Sequence, residues 1–305
     1  MRELFTLEET VAFAKALSSE LRVHMLQYIA IHAGIGFSDL ADVFSVSRAA
    51  ITQNIKILLE ADLVEIRQNA ENSEARKACF IKESRFTIYF SPYFNTRNFY
   101  SGEIPIGQYT CYEAKPTCGI ATVTELIGKV DDPRYFDDPK RFSAAILWLS
   151  TGYIEYRLPN YLQKNQRPVE LQLSFEISSE APGIADNWPS DISFYFNGTA
   201  LGSWTSPGDF GEAAGLYTPK WWKPNWNQYG LLKLLSINSQ GTFIDGLMIS
   251  PLTLESLQLD FKSDFQFRIE AAKEAKNNGG LTLFGRGFGN YNQDIRFHVI
   301  YEVEE

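Results

Sequence analysis

The sequence predicts a multi-domain α+β protein: a helical module ending in a β-hairpin, followed by an antiparallel β-sandwich of jelly-roll type. Three observations lead there. A chain of 305 residues, 45% hydrophobic and 21% charged, is long enough to bury two separate cores. All six tryptophans fall at Trp148 or later, while residues 1–90 are rich in Ala, Leu and Ile. The spacing of apolar residues changes near residue 86 from a helical period to a period of two. Domains are therefore expected at 1–85 and 86–305, with an extended connection at about 100–140.

The helical module reads in order. Thr6 followed by Glu9 is a capping-box pattern, and Leu7, Val11, Ala14 and Leu17 recur behind it at helical spacing. Ser18 or Ser19 is placed to cap a second helix with Leu21, Met25, Leu26 and Ile29 on one face, ended by Gly34-Ile35-Gly36. Ser38 is expected to cap a short third helix to about Phe44, and after the Ser45-Val46 turn Ser47 caps a fourth helix to about Ala61. In the fourth, Ile51, Ile55, Leu58 and Leu59 share a buried face, leaving Arg48, Thr52, Gln53 and Lys56 opposite. Residues 63–68 and 76–82 alternate as strands around a polar tip, which makes a hairpin.

Beyond Phe86 the strand-like runs are R-F-T-I-Y-F, A-I-L-W-L-S-T-G-Y-I-E-Y-R-L-P, V-E-L-Q-L-S-F-E-I, D-I-S-F-Y-F-N-G, L-L-K-L-L-S-I-N, L-E-S-L-Q-L-D-F and D-I-R-F-H-V-I-Y-E-V. Gly, Pro and Asn/Asp turns separate them. Only Phe265 to Ala275 offers a helical alternative, so a parallel α/β sheet is not expected.

Net charge is −9, but ten Lys/Arg against twelve Asp/Glu in residues 1–90 leave −2 there and −7 in the remainder. A local basic patch doubled by dimerisation fits this distribution, and non-specific coating of DNA does not. Cys79, Cys111 and Cys118 imply no disulfide framework. The start has no signal-peptide pattern and no run could span a bilayer, so a cytoplasmic protein without membrane contact is expected, and the Asn197 sequon is incidental.

Helix, tight turn, helix and hairpin in this order is the winged helix-turn-helix arrangement. The stretch D-L-A-D-V-F-S-V-S-R-A-A-I-T-Q-N-I-K-I-L-L-E-A-D-L-V-E, Asp39 to Glu65, resembles the ArsR-type (arsenical-repressor-like) transcription regulators, over roughly residues 10–83. The resemblance implies a recognition helix from Ser47 to Lys56, a double-stranded DNA operator and a homodimer. Gln53 suits an adenine edge and Arg48 a guanine or phosphate; Ser45, Ser47, Thr52 and Lys56 suit phosphate or base contacts. Arg67, Gln68, Asn69, Arg76 and Lys77 are the wing candidates. Where relatives sense metal through a third-helix Cys, S-D-L-A-D-V-F has none. His24, His32 and His298 are scattered, so no metal and no cofactor is expected. Cys111 and Cys118 could form a redox pair or half a metal site, but further soft ligands are missing.

The signal is instead sought in the sandwich. Trp188, Trp204, Asp209, Trp221, Trp222 and Trp226 lie in turn-rich sequence with Asn, Gln and Gly, a composition that resembles carbohydrate-binding modules: flat rings stack on sugar faces while polar groups bond hydroxyls. The competing reading is that these rings fill the core, as Trp148 in A-I-L-W-L is expected to do. Two adjacent Trp in a strand point to opposite faces, so Trp221 and Trp222 cannot both enter one core. Arg286, Asn290 and Asp294, in the glycine-rich stretch Asn277 to Asp294, could edge a polar pocket; no helix follows to make it a dinucleotide loop. Asp131 to Arg141 packs four Asp but lacks calcium-loop spacing and reads as a solvated connection. The expected function is a transcription regulator, not an enzyme, sensing a small molecule such as a carbohydrate. A sugar-active enzyme fused to a DNA-binding domain and a sandwich that recruits a protein partner are the alternatives.

Overall fold

The computed structural model describes residues 2–4, 6–68, 77–82, 86–88 and 98–304. It divides into two compact units, Met1–Thr96 and Arg97–Glu305. The first unit runs β1 (Arg2–Leu4), α1 (Leu7–Leu17), α2 (Glu20–Ile31), β2 (Ile35–Gly36), α3 (Phe37–Phe44), α4 (Arg48–Glu60), β3 (Val64–Gln68), β4 (Lys77–Ile81) and β5 (Phe86–Ile88). Thr6 and Glu9 form the capping box on α1, and Ser47 Oγ accepts the Ala50 N–H at 3.2 Å to cap α4. Gly36, not Ser38, caps α3, with the Asp39 carboxylate accepting the Gly36 N–H. Met25, Ile29, Leu40, Ile51, Ile55 and Leu58 form the helical core. Strands β2, β4 and β3 make a small antiparallel sheet in which Val64 faces Ile81 and Ile35 faces Cys79. The Gly34-Ile35-Gly36 break is thus also a strand. Phe86–Ile88, expected to open the sandwich, instead pairs in parallel with Arg2–Leu4, and the division between units falls at Thr96/Arg97 rather than at residue 85.

The second unit contains β6 (Asn98–Ile104), β7 (Cys111–Ala121), β8 (Ile146–Leu158), β9 (Gln166–Ser178), β10 (Ser190–Phe196), β11 (Thr199–Ser206), β12 (Leu231–Asn238), β13 (Gly241–Ile244), β14 (Leu247–Ser250), β15 (Phe265–Ala271), β16 (Leu281–Phe284) and β17 (Ile295–Val303). All the pairings are antiparallel. One leaf runs β11-β10-β15-β8-β7 and the other β6-β17-β9-β12-β13-β14, and β16 joins them by pairing with both β8 and β9. At the far side Gly202 of β11 approaches Ile249 of β14, so the sandwich is nearly a closed barrel. Inward alternation on β10 and β15 brings Phe194 and Phe267 against Phe175 of β9, with ring centroids 5.6 and 5.8 Å apart, and this contact joins the two leaves.

Several sequence expectations need correction. Residues 101–140 are not merely a connection, because β6 ends and β7 runs within them. Phe265 to Ala271 is a strand between β10 and β8 rather than a helix. The run L-E-S-L-Q-L-D-F is a 3-10 turn at Leu254–Leu257. No helix among the described residues is long and apolar enough to cross a membrane.

A second, smaller core lies outside the main one, where Ile146, Trp148 and Phe284 are covered by Trp222 and Phe288. The last eight residues of β9 are all buried, its outer side closed by the glycine-rich loop, where Asn290 and Tyr291 donate N–H groups to Glu176 and Gln293 Nε2 donates to Ser174 Oγ. Replacing Phe267 by Ala should cost about 3–5 kcal/mol in urea unfolding. A loss below about 1 kcal/mol would contradict the placement of this ring at the junction of the leaves.

Candidate ligand-binding cleft

The second core borders a cleft of about 160 Å³. Its aromatic side is Trp148, Trp222 and Trp226, and its polar side is Thr117, Asp131, Glu180 and Asn227. Each group arrives for a local reason. Trp148 sits on β8 opposite Gly119 of β7 and Thr282 of β16, and its indole covers Gly119, where a Cβ would collide with the ring. The β7–β8 register shifts between Lys115 and Cys118; Ser150 Oγ donates to the Lys115 and Pro116 carbonyls in this bulge, where Thr117 lies. Glu180 follows β9, with its N–H on the Gly279 carbonyl at 2.7 Å.

Glu180 is 8% exposed. Oε1 accepts from Thr117 Oγ1 at 3.1 Å, and Oε2 accepts from Asn227 Nδ2 at 3.0 Å and Thr282 Oγ1 at 3.1 Å. Burial holds its pKa well above the carboxylate range, and the charge of Asp209 pushes the same way; the hydroxyl donors oppose this without reversing it. Asp209 is fully buried: Oδ2 accepts the Ala181 N–H at 2.9 Å, and Oδ1 has no hydrogen-bond partner among the described residues. Burial pushes its pKa up to about 7. Burial, with Asp131, Asp132 and Glu180 nearby, pushes the Cys118 thiol up to about 12, leaving it a poor nucleophile.

The adjacent tryptophans lie in a turn, not a strand. Trp222 is 4% exposed and packs edge-on against Trp226 at 4.6 Å, Phe288 at 5.0 Å and Trp148 at 5.8 Å, while its Nε1 donates to the Asn227 carbonyl. Trp221 is 38% exposed and donates to the Val123 carbonyl. Trp222 thus enters the second core and also lines the cleft, as does Trp148, which the sequence placed only in a core.

The remaining candidates lie apart from the cleft lining. Trp204 packs on the main core with Lys233 Nζ 4.5 Å above its ring, and Trp188 is 38% exposed. Arg286 pairs with Glu103 and lies 3.7 Å from Asp294, whose N–H donates to Glu103 and whose carboxylate accepts the Ile106 N–H. Asn290 Oδ1 accepts the Leu216 N–H, and its own N–H donates to Glu176. These groups tie loops to strands. The four Asp of residues 131–138 are each engaged locally: Asp131 with the Cys118 N–H, Asp132 with Arg134, Asp137 with Tyr112 and Asp138 with the Lys140 N–H. No group of three or more His, Cys, Asp or Glu that could hold a metal occurs among the described residues. Cys111 faces Glu155 and Cys118 faces Leu149, about 20 Å apart along the strand, so they cannot form a redox pair.

In the first unit, Ser45 is exposed with φ 53°, which turns the chain between α3 and α4. Arg48, Thr52, Gln53 and Lys56 are exposed on α4, opposite the buried Ile51, Ile55 and Leu58. The guanidinium of Arg48 donates to Ser38 Oγ, Thr52 Oγ1 donates to the Arg48 carbonyl, and Lys56 lies 3.8 Å from Glu60. Arg67 pairs with Glu65 and stands over the Phe80 ring at 4.8 Å. Gln68 and Lys77 face each other at the ends of β3 and β4; Asn69 and Arg76 lie outside the described residues.

Sequence reasoning missed Glu180, Asn227 and Thr117 as cleft residues. The available signal was an acid just beyond the alternating run of β9, in S-F-E-I-S-S-E-A-P. No family model and no curated protein matches the chain. Among solved structures it is similar to a carbohydrate-binding module, CBM36, in complex with calcium and xylotriose, at 12% identity and a TM-score of 0.23, over 62% of this chain and 98% of that one.

An acid whose pKa is raised on folding stabilises the fold at low pH and loses that contribution as pH rises through the folded value. For Asp209 the window is from about 4 to about 7. Wild-type stability should therefore fall by up to about 4 kcal/mol across it relative to Asp209→Asn, measured by urea unfolding at successive pH values. Parallel pH profiles for the two proteins would contradict the raised value.

Proposed function

We propose that the protein is a DNA-binding transcription regulator whose β-sandwich binds a carbohydrate in the Glu180 cleft, so that cleft occupancy sets operator affinity. The observation that carries the ligand half is the meeting of three indoles with a buried hydrogen-bonding floor. Indole surface packs on the apolar face of a sugar ring, and Glu180, Asn227 and Thr117 are placed where hydroxyls need partners. The volume, well below the roughly 300–1,000 Å³ of pockets for larger ligands, suits a single ring rather than a chain.

The DNA half rests on α4. Its apolar side is buried, its exposed side carries Arg48, Gln53 and Lys56, and the β3–β4 hairpin follows, in the order of a winged helix-turn-helix. Leu7 and Val11, 64% and 40% exposed on α1, favour pairing of α1 with a second copy of the chain. With a first module near neutrality, operator affinity should be modest and should fall steeply with salt.

A carboxyl group kept protonated in a cleft also suits a general acid, so hydrolysis deserves a control. Monosaccharides should raise the melting temperature of the full chain without being consumed, and Trp226→Ala should weaken this binding about tenfold or more. Product release from chromogenic glycosides would favour an enzyme instead. Arg48→Ala combined with Gln53→Ala should reduce binding to selected genomic DNA by about tenfold or more at unchanged thermal stability. Unchanged DNA binding would remove α4 as the recognition helix.

A further inference from the structure

We infer that the ligand of the cleft carries a protonated amine and, on the carbohydrate reading above, is an amino sugar, with its ammonium on Glu180 and its ring against the indoles of Trp222 and Trp226. The cleft is lined by two carboxyl groups, Asp131 and Glu180, and by three indoles; among the described residues no Lys, Arg or His belongs to the lining. The partners of Glu180 are two hydroxyls and an amide, all neutral. Asp209, directly behind through Ala181, is also held by a neutral group, a backbone N–H. A buried carboxyl group is either neutralised or matched by a cation, and among the described residues no cationic side chain lines the cleft to match these two.

Indoles favour the same ligand, because a cation over the ring face is attracted by its quadrupole. Trp226 already accepts one: Nζ of Lys223, outside the lining, lies 4.7 Å over its ring. Burial favours the neutral form of Glu180, with Asp209 and Asp131 pushing the same way, and burial likewise holds the Cys118 thiol protonated. When an ammonium docks, Glu180 releases its proton to the buffer and becomes the counter-ion; no covalent bond of the ligand changes. A uronic acid would bring a further carboxylate to a cleft already lined by Asp131 and Glu180 and is disfavoured.

The test is isothermal titration calorimetry of the full chain at pH 7 with glucosamine, glucose, N-acetylglucosamine and glucuronate, in two buffers of different ionisation enthalpy. Glucosamine should bind about tenfold or more tightly than glucose or N-acetylglucosamine, with glucuronate weakest, and its binding alone should release a proton. Glu180→Gln keeps the shape and neutrality of the floor; in that variant glucosamine should bind no more tightly than glucose, and proton release should be abolished. Glucose binding as tightly as glucosamine would overturn the ammonium site while leaving the carbohydrate reading intact. Binding of none of the four sugars would overturn both. A glucosamine preference unaffected by Glu180→Gln would overturn the assignment to Glu180, and the wild-type selectivity and proton count decide the matter should the variant not fold.

Discussion

The Glu180 carboxyl group is packed behind indoles, with three neutral donors around it and no cation in the cleft lining, and the surrounding loops are arranged to make that burial possible. Thr117 lies in the bulge of β7, Thr282 comes from the strand that joins the two leaves, and Asn227 comes from the tryptophan turn. Gly280, at φ +66°, permits the close approach: a Cβ there would lie 2.7 Å from the Leu149 carbonyl and 2.8 Å from the Glu180 Cβ. Three separate segments thus converge on one acid. A position serving stability alone would be better filled by an apolar residue, because an uncompensated buried carboxyl group costs free energy.

Glu176, four residues earlier, provides the internal comparison. It is fully buried too, but it accepts backbone N–H groups from Gly230, Asn290 and Tyr291, fastening the glycine-rich loop and the start of β12 to β9. Its hydrogen bonds go to the main chain and organise the scaffold. Those of Glu180 go to side chains, of which Thr117 and Asn227 also line the cleft. Strand β9 thus carries one acid that ties loops to the sheet, and the segment directly after it carries another that lines the cleft, so a rigid sheet holds that polar group at a fixed position.

Much of the fold was legible because its signals are local. The Thr6–Glu9 box, the Ser47 cap and the Ile51-Ile55-Leu58 face need only a turn or two of chain, and β8, β9, β10, β12 and β17 alternate strongly enough to be seen alone. β7 was hidden because Pro116, Gly119 and its polar residues outweigh its alternation, although its bulge requires such a composition. F-Q-F-R-I-E-A is followed by A-K-E-A, so helix-forming residues blurred the end of β15, whose fate was decided by pairing with β8 and β10. The cleft was half legible. Trp222 and Trp226 announced themselves by size and clustering, whereas Glu180 has no spacing signature and acquires its meaning only when Thr117, Asn227 and Thr282 are brought to it from distances of 47 residues or more along the chain. The loop read from sequence as a pocket edge, Arg286 to Asp294, is polar because it ties turns to strands.

Carbon-13 NMR of the Glu180 side-chain carboxyl group in the ligand-free protein, followed as pH is raised, tests the central claim most directly. The account predicts a carboxyl group that stays protonated well above the ordinary glutamate range. A signal titrating near pH 4–5, as an ordinary solvated glutamate does, would contradict it.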